Sequence, residues 1–353
     1  MTITQESVDW HGFTLPAERG AAAPAEQRGL DRDEVRLLVA ASGRIEHAQF
    51  SDLAQFLTPG DLVVANDSAT VPAAVDTQRR DGRPVTLHFS TPLREGSWFV
   101  ELRADGARVT DGAAGERIEL PAGAGVVLAE PWPQAPKAIP TRLWRAEVDV
   151  RCDLLDYLAQ TGRPITYAHA PRPWPRDHYQ TIFAATRGSA EMPSAGRPFS
   201  ARVLDRLALR GVGLATVTLH TGVSSLEEGE APLPERFVVS GAAAAAVNLA
   251  RRRHGRIVAV GTTVTRALES ATDADGQVHA GQGWTDLVLG PQRGVRAVDA
   301  LITGWHEPRS SHLALIEAVA GTALARSAYN AALAAGYLWH EFGDSCLFLP
   351  ARR

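Results

Sequence analysis

The sequence predicts an α/β fold in which a mixed sheet is flanked by helices and carries an inserted antiparallel β-barrel domain. From residue 199 to about residue 330, strand patterns alternate with helix patterns, which indicates a largely parallel or mixed sheet with helices on both faces. Between residues 72 and 150, short alternating runs such as PVTLHFS and ERIELP are separated by Gly, Asp and Pro, as in a small antiparallel barrel or sandwich. We therefore expect residues 1–71 and 151–353 to form one discontinuous α/β catalytic domain, and residues 72–150 to form the inserted barrel domain.

The elements outside the barrel follow in a regular order. Before it, the pattern predicts a strand, a turn, a second strand, a short helix and a buried strand at Asp61–Ala65. After it, residues 151–159 predict a short amphipathic helix, and the Pro- and Gly-rich stretch that follows predicts a long loop, which is often functional. The alternating region then predicts strands at GLATVTLH, RIVAVG, WTDLVLG and DALITGW, each close to a helical pattern.

Composition and charge exclude several classes of protein. The chain has 353 residues, 45% of them hydrophobic, and a net charge of -4, which disfavours bulk electrostatic capture of nucleic acid but leaves room for a local basic face. No apolar run approaches the roughly 18 residues of a membrane helix, and no secretory signal pattern opens the chain. The two cysteines form no CxxC pair, and the acidic clusters lack metal-ligand spacing. We expect a cytoplasmic protein without a metal site and without membrane association.

The stretch RIVAVGTTVTRALES, residues 256–270, predicts a buried strand, a tight turn and a helix. Gly261 permits a sharp turn, and either Thr262 or Thr263 could cap the helix. Helix N-termini and the carboxyl ends of strands are the places where α/β enzymes bind ligands. The turn is therefore a candidate ligand-binding element, with an ordinary helix cap as the structural alternative.

Three other stretches place polar residues directly after predicted strands or before predicted helices. VTLHTGVSS puts His220 at a strand end, ITGWHEPRSSHLAL puts His306 and Arg309 ahead of a helix, and EMPSAGRPFS is a loop that leads into a helix. A single histidine is more often a structural residue than a catalyst, but the convergence of these stretches at sheet ends predicts one pocket. The sequence contains no nucleophile elbow, phosphate loop, dinucleotide fingerprint or zinc-protease motif.

The order of these stretches resembles that of the S-adenosylmethionine:tRNA ribosyltransferase-isomerase family. FSDLAQFLTPGDLVVANDSATVPA is similar to the family's F.DL…L.PGDLLV.NDT.V.PA, and MPSAGRPF is similar to PTAGLHF. GVGLATVTLHTG resembles GV….TLHVG, and IVAVGTTVTRALES matches I.AVGTT..R.LES almost residue for residue. VDALITGWHEPRSSHLALIEAVAG resembles VD.LITNFHLP.STLLMLV.AF.G, and GDSCLF resembles GDAMLI. The matching stretches run almost from end to end of the chain.

The resemblance implies a fold and a reaction. The fold is an α/β domain with an inserted β-barrel, in agreement with the change of pattern at residues 72–150. S-adenosylmethionine would be a co-substrate that donates a ribosyl unit rather than a methyl group. The implied acceptor is the aminomethyl group of a 7-deazaguanine at the wobble position of the tRNA anticodon arm. The implied products are epoxyqueuosine, adenine and methionine, and the chemistry needs a positioned base and acid but no metal.

The resemblance also implies roles for individual residues. His220 and His306 are the candidate base or acid, because a near-neutral pKa suits proton transfer. Glu235 could favour the sulfonium by its charge, and a guanidinium at Arg266 could pair with the methionyl carboxylate. The residues expected to shape the cofactor pocket are Ser194, Gly196, Thr262, Thr263, Arg266 and Arg309.

The sequence departs from the family pattern at several positions. Arg197-Pro198 stands where the family has Leu-His, Gly304 replaces an asparagine, and the segment EAPLPE keeps Glu235 but lacks two family histidines. The candidate replacements for the missing histidines are His169, His178, His312 and His340.

These departures leave three functions open. The chain could carry out the family reaction on tRNA, or it could be a divergent paralogue that uses or cleaves S-adenosylmethionine with a small-molecule acceptor. It could also be a non-catalytic relative that binds cofactor or RNA. The oligomeric state does not follow from the sequence.

Overall fold

The computed structural model describes residues 10–132, 141–166, 172–223 and 233–352, and these contain eighteen strands and six α-helices. The strands are β1 Arg36–Ala41, β2 Arg44–Gln49, β3 Leu62–Asn66, β4 Ser68–Thr70, β5 Ala74–Gln78, β6 Pro84–Pro92, β7 Trp98–Ala104, β8 Ala107–Arg108, β9 Arg117–Leu120, β10 Ala124–Trp132, β11 Leu143–Asp149, β12 Thr186–Ser189, β13 Gly213–Leu219, β14 Glu235–Val239, β15 Ile257–Val260, β16 Gly281–Thr285, β17 Ala300–Gly304 and β18 Ser345–Leu349. The helices are α1 Leu154–Thr161, α2 Ala201–Leu209, α3 Gly241–Arg252, α4 Gly261–Ser270, α5 Ser311–Ala320 and α6 Thr322–Ala334.

Nine strands form one mixed sheet in the order β16-β14-β13-β3-β15-β17-β18-β1-β2. Its four central strands, β13, β3, β15 and β17, are parallel, so their carboxyl ends lie at the same edge. On one side, β14 and β16 run antiparallel to their neighbours. On the other side, β18 is antiparallel to β17 and parallel to β1. The mixed sheet predicted from the alternating pattern is therefore confirmed.

Helices cover both faces of this sheet. One face packs against α3, α4, α5 and α6 in a core that includes Val64, Ala259 and Ile316. The other face packs against α2 and the 3-10 helix Phe50–Phe56, in a core that includes Val258. Every residue of β3 and β15 is buried, as the continuous apolar runs predict for strands covered on both sides.

A second sheet of seven strands joins β5 to β11 and is antiparallel throughout. Its two edge strands approach each other, since the Thr77 hydroxyl of β5 donates a hydrogen bond to the Glu119 carbonyl of β9. The predicted barrel is confirmed in this nearly closed form. Its apolar core also includes Leu158 of α1 and Leu233, so the domain boundaries at residues 72 and 150 stay a prediction.

One predicted strand is displaced along the chain. The stretch WTDLVLG was expected to form a strand, but β16 covers Gly281–Thr285 and ends two residues into that stretch. Its partner β14 begins at Glu235, which lies opposite Thr285, so the next residues have no strand to pair with. The chain leaves the sheet there, and Leu287 and Leu289 line a cavity instead.

Across the residues that the structure describes, no helix combines the length and the apolar character that crossing a bilayer requires.

Candidate active site

Asn66 joins three elements at the carboxyl edge of the large sheet. Its Oδ1 accepts hydrogen bonds from the N–H groups of Leu219 and Ser68, both at 3.0 Å. Its Nδ2 donates to the Leu219 carbonyl at 2.8 Å and to Thr263 Oγ1 of α4 at 3.3 Å. This buried amide therefore fixes the end of β13, directly before His220, against the start of α4.

Helix α4 begins at Gly261, directly after β15. Gly261 has a φ of +92°, and a Cβ there would lie 3.2 Å from the Ala195 side chain, so glycine is required on both counts. The prediction that Thr262 or Thr263 caps the helix is wrong, because the helix has no side-chain cap and both threonines already lie in its first turn. Thr263 accepts a hydrogen bond from Asn66 instead. The first turn thus keeps N–H groups that no side chain caps, as helix N-termini that receive ligands do.

A cavity of about 680 Å³, partly open to solvent, lies at this edge. Its wall brings together four of the predicted site residues, Glu235, Thr262, Thr263 and Arg266, and adds His312. The apolar part of the wall includes Leu233, Leu287, Leu289 and Leu315. The cavity therefore combines one charged and hydroxyl-bearing side with an apolar side.

Glu235 and Arg266 form an ion pair in this wall. Arg266 also donates from Nε to the Leu287 carbonyl at 3.1 Å and from Nη2 to the Thr285 carbonyl at 3.0 Å. Glu235 Oε1 accepts the Gly222 N–H at 3.0 Å. The carboxylate is thus fixed at the cavity with its charge partly balanced, while each nitrogen of the guanidinium already has a partner inside the protein.

His220 follows β13 and is held through its Nδ1. Ser68 Oγ lies 2.7 Å from Nδ1 and 2.6 Å from Ser189 Oγ. Ser189 Oγ also accepts the Thr221 N–H at 3.0 Å, so His220, Ser68 and Ser189 form one hydrogen-bonded chain that ends on this N–H. The chain fixes the imidazole ring of His220 through Nδ1. Burial, followed by the charge of Arg236, lowers the pKa of His220 to about 4, so the ring is neutral at pH 7.

His306 and His312 form a stacked pair beside the cavity. Their ring centroids are 4.4 Å apart and their planes differ by 15°. His306 Nε2 lies 3.0 Å from Thr303 Oγ1, and His312 Nδ1 lies 3.0 Å from Ser310 Oγ. Burial lowers the pKa of His312 to about 4 and the pKa of His306 well below its usual value. His312 lines the cavity, whereas the predicted catalytic residue His306 does not.

The remaining predicted residues lie apart from this cavity. Ser194 lines a second, smaller cavity together with Gly304, His340 and Glu341. Gly196 is buried against Thr181 and lines neither cavity. Arg309 is exposed, and its N–H donates to the His11 carbonyl at 2.9 Å. The structure thus places four of the predicted residues in one wall, two histidines close to it, and three elsewhere.

The second cavity holds residues that differ from the family pattern. Burial, together with the charge of Glu191, raises the pKa of Glu341 to about 8, and Glu341 Oε1 has no hydrogen-bond partner among the described residues. Arg197 is buried and donates to the Glu26 carboxylate at 2.8 Å and to the His178 carbonyl at 2.9 Å. Its guanidinium therefore holds the N-terminal segment in place. His169 lies outside the described residues.

Three residues of the site were not predicted from the sequence: Asn66, Ser68 and Ser189. Asn66 is the last residue of a buried strand. Because a buried amide needs hydrogen-bond partners, an asparagine at that position indicates a side chain that connects neighbouring strand ends. Ser68 and Ser189 carry no such signal, since serine is common in turns. Among the residues that the structure describes, no group of three or more His, Cys, Asp or Glu side chains could hold a metal ion.

The fold and the cavity define a class: α/β proteins that carry a small-molecule site at the carboxyl edge of a mixed sheet. Residues 8–348 match the family described as queuosine biosynthesis protein, and the chain belongs to that family.

Individual relatives agree with this assignment. The chain is 39% identical to the S-adenosylmethionine:tRNA ribosyltransferase-isomerase of Acidiphilium cryptum, with 96% of this chain and 97% of that protein covered. It is 36% identical to the protein of the same name from Symbiobacterium thermophilum, with 96% and 98% covered. The crystal structure of S-adenosylmethionine tRNA ribosyltransferase from Thermotoga maritima matches with a TM-score of 0.54 and 27% identity, over 96% of this chain and 100% of that one.

Proposed function

We propose that this protein is an S-adenosylmethionine:tRNA ribosyltransferase-isomerase. It transfers and isomerises the ribosyl unit of S-adenosylmethionine onto 7-aminomethyl-7-deazaguanine in tRNA, which gives epoxyqueuosine and releases adenine and methionine. The observation that carries the proposal is the wall formed by Glu235, Arg266, Thr262 and Thr263, in a chain that matches relatives of this name over nearly its whole length.

The charge of the wall suits a cationic sulfur compound. A sulfonium near the Glu235 carboxylate is favoured by Coulomb attraction, which is stronger in a partly enclosed cavity than in water. The apolar side formed by Leu233, Leu287 and Leu289 can cover a planar base. The hydroxyls of Thr262 and Thr263 and the first-turn N–H groups of α4 can orient the polar end of the ligand.

The reaction requires proton transfers that histidines can supply. The sulfonium acidifies the ribose carbon beside it, so a positioned neutral base can remove a proton there, and the departing adenine needs a proton in return. His220 is held through Nδ1 by Ser68, and His306 belongs to the histidine pair beside the cavity; both are candidates for the acid or base. Ser194, Gly196 and Arg309 lie outside the main wall, and we assign them to the surroundings of the acceptor rather than to first contact with S-adenosylmethionine. We place the reaction in the cytoplasm, where a tRNA acceptor is found.

The test measures adenine and methionine release from S-adenosylmethionine, with and without tRNA that carries the 7-aminomethyl-7-deazaguanine base. Release that depends on the modified tRNA, with the expected gain in tRNA mass, supports the proposal. Release without tRNA would replace it with the small-molecule alternative, and no release under either condition would replace it with the non-catalytic one.

A matched pair of variants ties the activity to the cavity. Glu235→Gln keeps the shape of the cavity wall but removes its negative charge, and with it the attraction to the sulfonium. We expect at least a tenfold loss of adenine release, which corresponds to about 1.4 kcal/mol. Glu119→Gln changes an exposed glutamate of the barrel that pairs with Arg117, and should have no effect.

A further inference from the structure

The stacked pair of His306 and His312 is held rigidly from several sides. The His306 N–H donates to the Tyr329 hydroxyl at 3.3 Å, and the Trp339 indole donates to the His306 carbonyl at 3.0 Å. Trp305 packs edge-on against Tyr329, with ring centroids 4.9 Å apart. The loop between β17 and α5, including the backbone of His306, is therefore fixed by a buried aromatic cluster.

The two rings use their nitrogens differently. His306 Nε2 and His312 Nδ1 each face a hydroxyl at 3.0 Å, from Thr303 and Ser310. No described residue forms a hydrogen bond with His312 Nε2, although the ring lines the cavity. When Nδ1–H donates to Ser310 Oγ, Nε2 carries a free lone pair. In this tautomer the pair presents one open acceptor to the cavity, and it belongs to His312.

The surroundings of the pair disfavour protonation of its two imidazole rings. Two imidazolium rings stacked at 4.4 Å would repel each other, so at most one ring carries an added proton. The ionisable groups that face the pair are Arg266 from α4 and His340 from the loop before β18, with Glu235 across the cavity. Burial keeps both rings neutral at pH 7. An added proton on His312 is thus disfavoured at pH 7 in the protein without ligand.

We propose that His312 is the proton acceptor of the cavity and that His306 is its positioning residue. The inference rests on the proposed function for the identity of the ligand. In the step we assign to it, the C–H bond of the ribose carbon beside the sulfonium breaks, and its electron pair stays on that carbon. The proton forms a new N–H bond at His312 Nε2, so the imidazole becomes an imidazolium and the sulfonium becomes a neutral ylide.

The kinetic test compares His312→Ala and His312→Gln with His279→Ala, which changes an exposed histidine paired with Asp273. With S-adenosylmethionine deuterated at the 5′ carbon and modified tRNA, we expect His312→Ala to lower kcat about 100-fold with little change in KM. The deuterium isotope effect on adenine release should rise, and added imidazole should restore about a tenth or more of the lost rate to His312→Ala. Unchanged kcat, or a loss with neither rescue nor a larger isotope effect, would overturn the assignment.

A second measurement does not depend on turnover. Diethylpyrocarbonate modifies neutral histidines, and peptide mass spectrometry locates the modified residues. S-adenosylmethionine alone should protect His312 but not His279. If wild-type protein releases no adenine but His312 is protected, the proposed function fails while the place of the pair in the ligand site stands. If adenine is released and His312 is not protected, the proposed function stands and the assignment of His312 is wrong.

Discussion

Arg266 on helix α4 and Glu235 on strand β14 form an ion pair in the wall of the cavity at the carboxyl edge of the large sheet, although 31 positions separate them in the chain. The guanidinium also holds the carbonyls of Thr285 and Leu287, which lie where the chain leaves β16. One arginine therefore fixes both the carboxylate and the apolar wall opposite. The expected contact of Arg266 with a ligand carboxylate stays a prediction, and this pairing gives the residue a second way to affect binding.

We expect Arg266→Ala to weaken S-adenosylmethionine binding about tenfold or more. Removing the guanidinium leaves the buried Glu235 carboxylate with fewer partners and frees the loop after β16, which costs about 1–3 kcal/mol. Isothermal titration calorimetry measures the affinity. Arg163→Ala is the control, because Arg163 forms an exposed ion pair with Asp76 on the barrel. Unchanged affinity in Arg266→Ala would assign the arginine to structure alone.

The double variant Arg266→Ala, Glu235→Gln separates the two ways in which Arg266 could act. If Arg266 acts by positioning Glu235, the two losses overlap and the double variant is little worse than either single one. If Arg266 contacts the ligand carboxylate directly, the two losses add. The same titration gives both answers.

We expect His306→Ala to lower adenine release, by no more than His312→Ala does, while the protein stays folded. The substitution removes the ring that stacks on His312 and the contact with Thr303 Oγ1. His306→Phe keeps a ring of similar thickness and should retain more activity than His306→Ala if stacking is the main role. Thermal melting followed by circular dichroism checks the fold, and full activity in His306→Ala would remove the residue from the mechanism.

Gly188→Ala should displace His220 without unfolding the protein. A Cβ at Gly188 would lie 2.5 Å from His220 Nδ1, the atom that Ser68 contacts. We expect the ring to shift and adenine release to fall at least tenfold, since a shift of about 1 Å can cost up to about 100-fold. Gly241→Ala is the control, because nothing lies within 4 Å of a Cβ at that position. Wild-type activity in Gly188→Ala would show that the orientation of His220 is not required.

The stability of the fold should fall with acid because of His220. Its pKa is about 4 in the folded protein against a usual 6.5, so between these values the unfolded chain binds a proton that the folded chain does not. The free energy of unfolding therefore decreases as the pH is lowered, by about 1 kcal/mol from this residue between pH 7.5 and 5.5. Urea unfolding of wild-type protein and of His220→Gln measures the difference. The variant should show the shallower pH dependence, and equal slopes would contradict the lowered pKa.

The sequence by itself determined the elements and the fold class. The runs LVVAN and IVAV are apolar throughout, and they form β3 and β15, which are buried on both faces. The alternating runs between residues 74 and 149 form the antiparallel barrel sheet. These features could be predicted because the spacing of apolar residues is a local property of the sequence, and in a sheet the same spacing determines which residues are buried. The Gly-Thr-Thr segment also lies at the predicted edge of the sheet, although its threonines do not cap the helix.

Only the tertiary structure decided which side chains meet at the cavity. His312 lines it and His306 does not, although the two are six positions apart in a segment that the sequence had marked as one candidate. Arg266 meets Glu235, and His220 shares a hydrogen bond with Ser68, which is 152 positions away. Periodicity states which face of an element is apolar, but not the distance between the ends of different strands. That distance is set by strand order and helix packing, so the partners of each polar group follow from the folded chain alone.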